Sequence, residues 1–371
     1  MAAVVAALVV AIPTLSNARP LGQPGFAGEQ IARADLTPAQ ITGAIMDSAS
    51  TPHTGVVNSS GTVQVPDADT FTSIATLFGE PHRIRVFWND EEHWRLDRIR
   101  STGETDLFRT PTSTTRWVYE SRRVRVTLPA PVRLPDTSDV LPDTVARRAL
   151  QGAQPDELSA LPSARIAGRD AVGLRLSPET PQSSVDRVDI WADAESGIPL
   201  RVQVYAGAAR PTLTTAYERL DLEAPPPAAM EFDPPPHAEV TFEELPDLAS
   251  ESNVFAPYLA PDTLAGLPLR EDRPDLPAGA VGVYGRGPTV LLFLPLRGRA
   301  AEPLREELSK TGGYEPSATG TAVDLGPISV LVTPERFRGS GFLLVGTVTP
   351  EALEQAGREL ADLQPIDRDN P

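Results

Sequence analysis

Four histidines, His53, His82, His93 and His237, are the first candidates for chemistry, and their spacing supports none. No two of them share the short interval that sets imidazoles around one metal. The chain has no cysteine, which removes thiol nucleophiles, cysteine zinc sites, disulfides and lipid attachment at an N-terminal cysteine. No Gly-x-Ser-x-Gly elbow presents a serine. Gly279, Gly282, Gly285 and Gly287 lack the lysine of a phosphate loop, and a turn before a strand accounts for them. The acidic pairs Glu91-Glu92 and Glu306-Glu307 read as solvated charge. These residues point to a non-enzymatic protein with no metal or cofactor.

What remains is arginine set against apolar residues. Lys310 is the only lysine among 33 basic residues. Arg83 and Arg85 alternate with Ile84, Val86 and Trp88, and Arg123 and Arg125 alternate with Val124 and Val126. The four arginines are therefore expected on one outer sheet face. The stretch His82–Pro129 holds ten arginines against seven acidic residues, in a chain whose net charge is −17. Such a patch is either a solvated face or a docking surface for lipid headgroups or an acidic partner segment, because a guanidinium can hold phosphate or carboxylate with two bonds. The global negative charge argues against nucleic acid as a partner.

The elements that must position these residues are mostly strands. Val188, Ile190 and Ala192 alternate with Asp189, Trp191 and Asp193, and Leu200, Val202 and Val204 alternate with Arg201, Gln203 and Tyr205. With Gly197 supplying the reversal and Pro199 at a strand start, Val185–Ala206 reads as a β-hairpin. Its apolar row is expected to face inward. Its polar row, with Asp189, Trp191 and Arg201, is expected to face solvent or a partner. Strands at similar spacing are expected across Thr54–Leu128, Ala164–Ser177 and Thr212–Leu222, which means an antiparallel meander rather than βαβ units. Thr37-Pro38-Ala39-Gln40 forms a capping box that starts a short helix. Asp143–Gln151 reads as a second helix with Asp143 as N-cap. Asp67–Glu80 is an irregular insertion.

The 371 residues include 39 prolines, concentrated in connections. Ala2–Leu15 is an uncharged apolar run followed by Ser16-Asn17-Ala18, the small-x-small form of a cleavage site, without a basic n-region. It is a signal peptide or an N-terminal anchor, and either predicts export. The expected organisation is this segment over 1–18, a mobile lead over 19–36, a sheet domain over 37–244, a Pro-rich linker over 245–279 and a small α+β domain over 280–371. The last is read as βαββα, with a short buried strand at Val290–Leu294 within Ala280–Leu296, strands at Ile328–Val332 and Phe342–Val348 and a final helix capped by Thr349.

The order Val188-Asp189-Ile190-Trp191, Gly197-Ile198-Pro199-Leu200-Arg201-Val202 and Phe232-Asp233-Pro234-Pro235-Pro236 resembles the LolA-like superfamily. The extra C-terminal domain makes the chain most similar to its MucB/RseB-type branch. The resemblance implies an α+β fold: a curved antiparallel sheet forming a half-barrel with covering helices, and an apolar cavity for the acyl chain of a lipid or lipoprotein. It also implies one of two roles, an envelope sensor regulating a membrane anti-sigma factor or a carrier of lipid or lipoprotein. Ile84, Val86, Trp88, Trp94, Leu96, Trp117, Tyr119, Val124, Val126, Val188, Ile190, Leu200, Val202 and Val204 fall on strand faces expected to point inward. They are either ordinary core or the cavity wall. Two short helices are little material to cover some ten strands, and an uncovered apolar concavity suits an acyl chain. At about 0.8 kcal/mol per buried CH₂, such a chain binds without a polar motif.

Overall fold

The computed structural model describes residues 36–62, 72–128, 135–243, 256, 258–270, 279–310, 313–335 and 340–365. The expected signal segment, nearly all of the lead and much of the expected linker lie outside these residues. Among the described residues no helix is long and apolar enough to cross a membrane.

The chain begins with helix α1, Pro38–Asp47. Its capping box is complete: Thr37 Oγ1 accepts from Gln40 N at 3.3 Å, and Gln40 Oε1 accepts from Thr37 N at 2.9 Å. Strands β1 (His53–Gly61), β2 (His82–Asp90), β3 (His93–Arg100), β4 (Gly103–Thr110), β5 (Ser113–Val118) and β6 (Arg123–Thr127) follow as a meander. After helix α3, Pro142–Leu150, come β7 (Leu158–Ile166), β8 (Arg169–Leu176), β9 (Arg187–Asp193), β10 (Pro199–Tyr205), β11 (Leu213–Asp221) and β12 (Glu239–Glu243). They form one twelve-stranded sheet in the order β12-β6-β5-β4-β3-β2-β1-β11-β10-β9-β8-β7. Only β12 and β6 run parallel among these neighbours. The fold is the expected curved α+β half-barrel.

The hairpin β9–β10 forms as its alternation requires. Gly197 closes it at φ 74°, and a Cβ there would lie 2.3 Å from Ala44 O, so the turn needs glycine both for its backbone and for its seat against α1. Three details differ from the sequence reading. Helix α2, Thr72–Gly79, stands inside the expected irregular insertion. Leu141, not Asp143, is the N-cap of α3; Pro142 takes the N1 position and Asp143 is buried in the first turn. Strand β12 extends the sheet after the Pro-dense stretch.

The second sheet has six antiparallel strands: β15 (Gly282–Arg286), β16 (Thr289–Arg297), β17 (Tyr314–Ser317), β18 (Gly320–Asp324), β19 (Ser329–Val332) and β20 (Ser340–Gly346). The βαββα reading thus placed β16 and missed β15 and the hairpin β17–β18. One face packs against the helix Gly298–Ser309 through Leu304 and Leu308. The other packs against Pro350–Ala361 through Leu353, Ala356 and Leu360. Leu264 and Leu267, from the small hairpin β13 (Thr263–Leu264) and β14 (Leu267–Pro268), join that second face. Helices on both faces explain the unbroken apolar run of β16.

Backbone bonds tie the two sheets together. Thr349 N donates to Gln182 O at 2.8 Å, Ser184 N to Thr347 O at 3.3 Å, and Gly287 N to Gln151 O at 2.8 Å. Arg286 pairs with the buried Glu157, Nη2 to Oε1 at 2.8 Å. Burial pushes the Glu157 carboxyl up, but the Arg286 bond and the amides of Gln154 and Glu179 outweigh it and hold the group below the usual range.

Candidate functional site

Directly paired residues of an antiparallel ladder point to the same side, so the registers assign faces row by row. Val86 pairs Leu96, and Leu96 pairs Leu107. These three are buried with Ile84, Trp88, Trp94 and Leu200 beneath Leu77 of α2, Val140, Leu141 and Ile198. Val188, Ile190 and Val202 belong to a neighbouring cluster under Ile41 and Ile45 of α1 and Ala146 and Leu150 of α3, with Val204 partly buried at its edge. The expected open concavity is therefore closed over these ten residues. The turn of 3-10 helix Thr137–Val140 and helix α2 supply cover that two helices could not.

The registers correct the other four apolar residues. The row Val86–Leu96–Leu107 continues to Arg116 and Arg125. The adjacent row runs Arg85–Asp97–Asp106–Trp117–Val124–Val240. Trp117, Val124 and Val126 thus lie on the outer face with Arg83 and Arg85. Tyr119 stands edge-on to Trp117 at 6.3 Å and is 68 % exposed. Arg123 and Arg125, expected outside, lie on the helix side with Arg98, Arg109 and Arg116. The physical reason is a second cover. Phe232, from the Pro-dense stretch, packs on Phe108 at 4.9 Å and Trp117 at 6.0 Å, and Arg95 Nη1 donates to Ala229 O at 3.2 Å. That cover buries apolar side chains outside and leaves arginines inside.

The polar row of the hairpin is also less open than expected. Asp189 is buried and accepts from Arg175 at 2.6 and 2.8 Å. Trp191 donates to Pro162 O at 3.1 Å and carries the Arg201 guanidinium at 5.8 Å.

Two titratable clusters escaped the sequence reading. On the outer face Asp97, Glu104 and Asp106 bring carboxylate oxygens within 4.8 Å of one another. Arg85 and Arg95 sit among them as counter-ions, Arg95 Nε to Asp97 Oδ1 at 2.6 Å. Burial, then the charges of Asp97 and Glu104, push Asp106 up to about 7. Beneath α3 lies a closed network: His53 Nε2 shares a 2.8 Å bond with Tyr217 Oη, which donates to Asp143 Oδ2 at 2.8 Å. Burial, with the Asp143 charge and bond, raises the Tyr217 phenol well above its ordinary value. The carboxylates come from separated positions in paired strands and the triad from three elements, so no local motif marks them.

At the end of the helix-covered face where β2 turns into β3, a cleft of about 250 Å³ opens between these strands and α3. Trp88 and Trp94 form one wall, stacked at 6.3 Å with 3° between their planes. Arg147 of α3 lies over Trp88 at 5.5 Å, and Arg109, Ser138 and Thr144 complete the polar lining. Two of its residues, Trp88 and Trp94, were legible as apolar-face positions. Arg147 was not, although its place one helical turn after Asp143 puts both at the rim of the α3 stripe.

No family model matches this chain, and no curated protein does. Among solved structures, that of a Pseudomonas aeruginosa MucA/MucB complex is similar at a TM-score of 0.50 and 14 % identity, covering 89 % of this chain and 99 % of that one. MucB in complex with periplasmic MucA gives 0.47 and 14 %, with the same coverage. A LolA superfamily protein from Nitrosomonas europaea gives 0.24 and 12 %, covering 53 % of this chain and 99 % of that one. The chain has the fold seen in the first of these structures.

Proposed function

We propose that the protein is an exported, non-enzymatic binding protein that senses a lipid or lipoprotein acyl chain and regulates a membrane anti-sigma factor in the cell envelope. The observation that carries this reading is the two-sheet architecture, shared over 89 % of the chain with MucB in its complex with MucA. A carrier of lipid or lipoprotein needs the half-barrel alone, whereas here the second sheet is bonded to it through Gln182, Ser184 and Arg286. On this reading the division at 37–244 and 280–371 separates ligand capture from partner capture.

The acyl chain would take the inner face lined by Ile84, Val86, Leu96 and Leu200. That face is packed in this state, so the ligand enters by parting α2 from β1 and β2. Phe78 of α2 touches the cores of both sheets, so its displacement is felt by the second sheet. The chain's arginines, including Arg83 and Arg85 outside and Arg123 and Arg125 inside, are the candidate contacts for acidic groups of headgroup or partner.

Native mass spectrometry of the full chain purified from its own envelope is expected to show a lipid or lipoprotein adduct, and release of that adduct should change capture of an anti-sigma factor's extracytoplasmic segment. An adduct whose release leaves capture unchanged selects the carrier. Absence of any adduct overturns both roles.

A further inference from the structure

We propose that the cleft between Trp88, Trp94 and Arg147 is an oxyanion site, in which a phosphate or carboxylate group displaces Glu91 and bonds to the Arg147 guanidinium. The inference stands on the cleft alone and goes beyond the acyl-chain and partner reading. Arg147 is 93 % buried, yet among the described residues its Nη1 has no hydrogen-bond partner. Leaving a buried donor unmet costs about 1–3 kcal/mol, and more when the group is charged. Fixed over the Trp88 ring, the Arg147 side chain lines an opening large enough for a phosphate group.

The groups around Arg147 sort into occupied and displaceable. Asp136 accepts from Ser138 N at 2.8 Å and from Ser138 Oγ at 2.6 Å, so its carboxylate is held by the turn it caps. Arg148 is paired with Asp139. Glu91 differs from both. It sits on the β2–β3 turn with its side chain 65 % exposed, and its carboxylate pairs with Arg147 Nε at 3.4 Å. A pair of that kind is worth about 0–1 kcal/mol, so an incoming anion loses little by replacing it. The hydroxyl of Thr144 stands on the same lining and can donate to a remaining oxygen.

The bound group could be free or could be the head of an amphiphile whose tail enters the adjoining apolar core. Two probes separate these sources. Inorganic phosphate and hexyl phosphate are titrated into the full chain by calorimetry, with tryptophan fluorescence as a second readout. Saturable binding of both with equal affinity supports a site for a free anion; hexyl phosphate binding tighter by ~10-fold supports a headgroup site. Glu91→Gln should tighten either probe by about threefold, the worth of one exposed pair. Arg147→Met should weaken it by ~10-fold or more, the worth of one charge-assisted bond. The proposal is overturned if parent protein shows no saturable binding at millimolar phosphate, or if Glu91→Gln leaves the affinity unchanged. Glu91 lies on an exposed turn, so that variant keeps the test open even where Arg147→Met does not fold. Loss of the acyl-chain reading by mass spectrometry leaves these outcomes untouched.

Discussion

The two sheets bury apolar residues by different geometries. The six-stranded sheet lies between two helices, so successive residues such as Leu291, Phe293, Leu294 and Leu296 are all buried whichever way they point. Among the described residues, the twelve-stranded sheet has helices on one side and the Phe232 stretch on part of the other. Each of its strands must therefore choose a phase, and that phase reverses between β4 and β5. An apolar side chain in the small sheet says little about face but much about burial. In the large sheet it says neither until its cover is known.

Large-to-small changes give the strongest test of this difference. Phe293→Ala is expected to cost about 3–5 kcal/mol and Leu96→Ala about 2–5 kcal/mol. Because backbone bonds join the sheets, calorimetry should show each variant lowering one common transition. Two separated transitions, only one of them moved, would break the comparison into independent bodies.

The junction comes next. Arg286→Ala leaves Glu157 buried and unpaired, at an expected cost of about 1–3 kcal/mol, and should begin to divide the single transition. The Glu157 carboxyl is held below its ordinary 4.5 in the folded protein. Its contribution is therefore fully present above pH 4.5 and is lost as pH falls through the folded value. The parent–variant gap should shrink on acidification.

Asp106 carries the opposite sign. Its folded value is about 7 against an ordinary 3.8, so the folded state favours the protonated acid. The associated stability is present below pH 3.8 and is lost as pH rises through 7. Asp106→Asn should raise Tm at pH 8 by roughly 2–4 °C, the equivalent of about 1 kcal/mol in a domain of this size, with little change at pH 4. An equal change at both values would place the effect in packing rather than charge.

The smallest effect is expected at the β12 edge of the large sheet. Phe242 on β12 is 81 % exposed, and Phe242→Ser should move stability by no more than about 0.5 kcal/mol. A larger loss in urea melts would reveal a cover over this edge.

The contrast also explains how much was legible in the sequence. The β9–β10 hairpin, the Thr37 and Thr349 caps and the meander of β2–β6 follow from local spacing and form as read. Face assignment succeeded for Ile84, Val86, Leu96 and Ile190, where one helix-covered side exists. It failed for Trp117, Tyr119, Val124 and Val126, and for Arg123 and Arg125, because their surroundings depend on Phe232, more than a hundred residues away in sequence. Alternation fixes which residues share a side, and only long-range packing decides which side is inner. Arg147 and the Tyr217 network were hidden for the same reason: their partners arrive from other elements.

The seam between β1 and β11 has a consequence for the order of assembly. Thr54 pairs with Asp221 and Gly61 with Leu213, whereas β2–β5 and β7–β10 are joined only to sequence neighbours and β6 gains one distant partner, β12. A chain emerging from its N-terminus can zip those two meanders early, while β1 keeps one edge unpaired until β11 appears. Contacts that span so much chain form late because loop closure must come first. Pulsed hydrogen exchange should accordingly protect the amides of β2–β5 before those of β11, so that the middle of the finished sheet closes after the strands on either side of it.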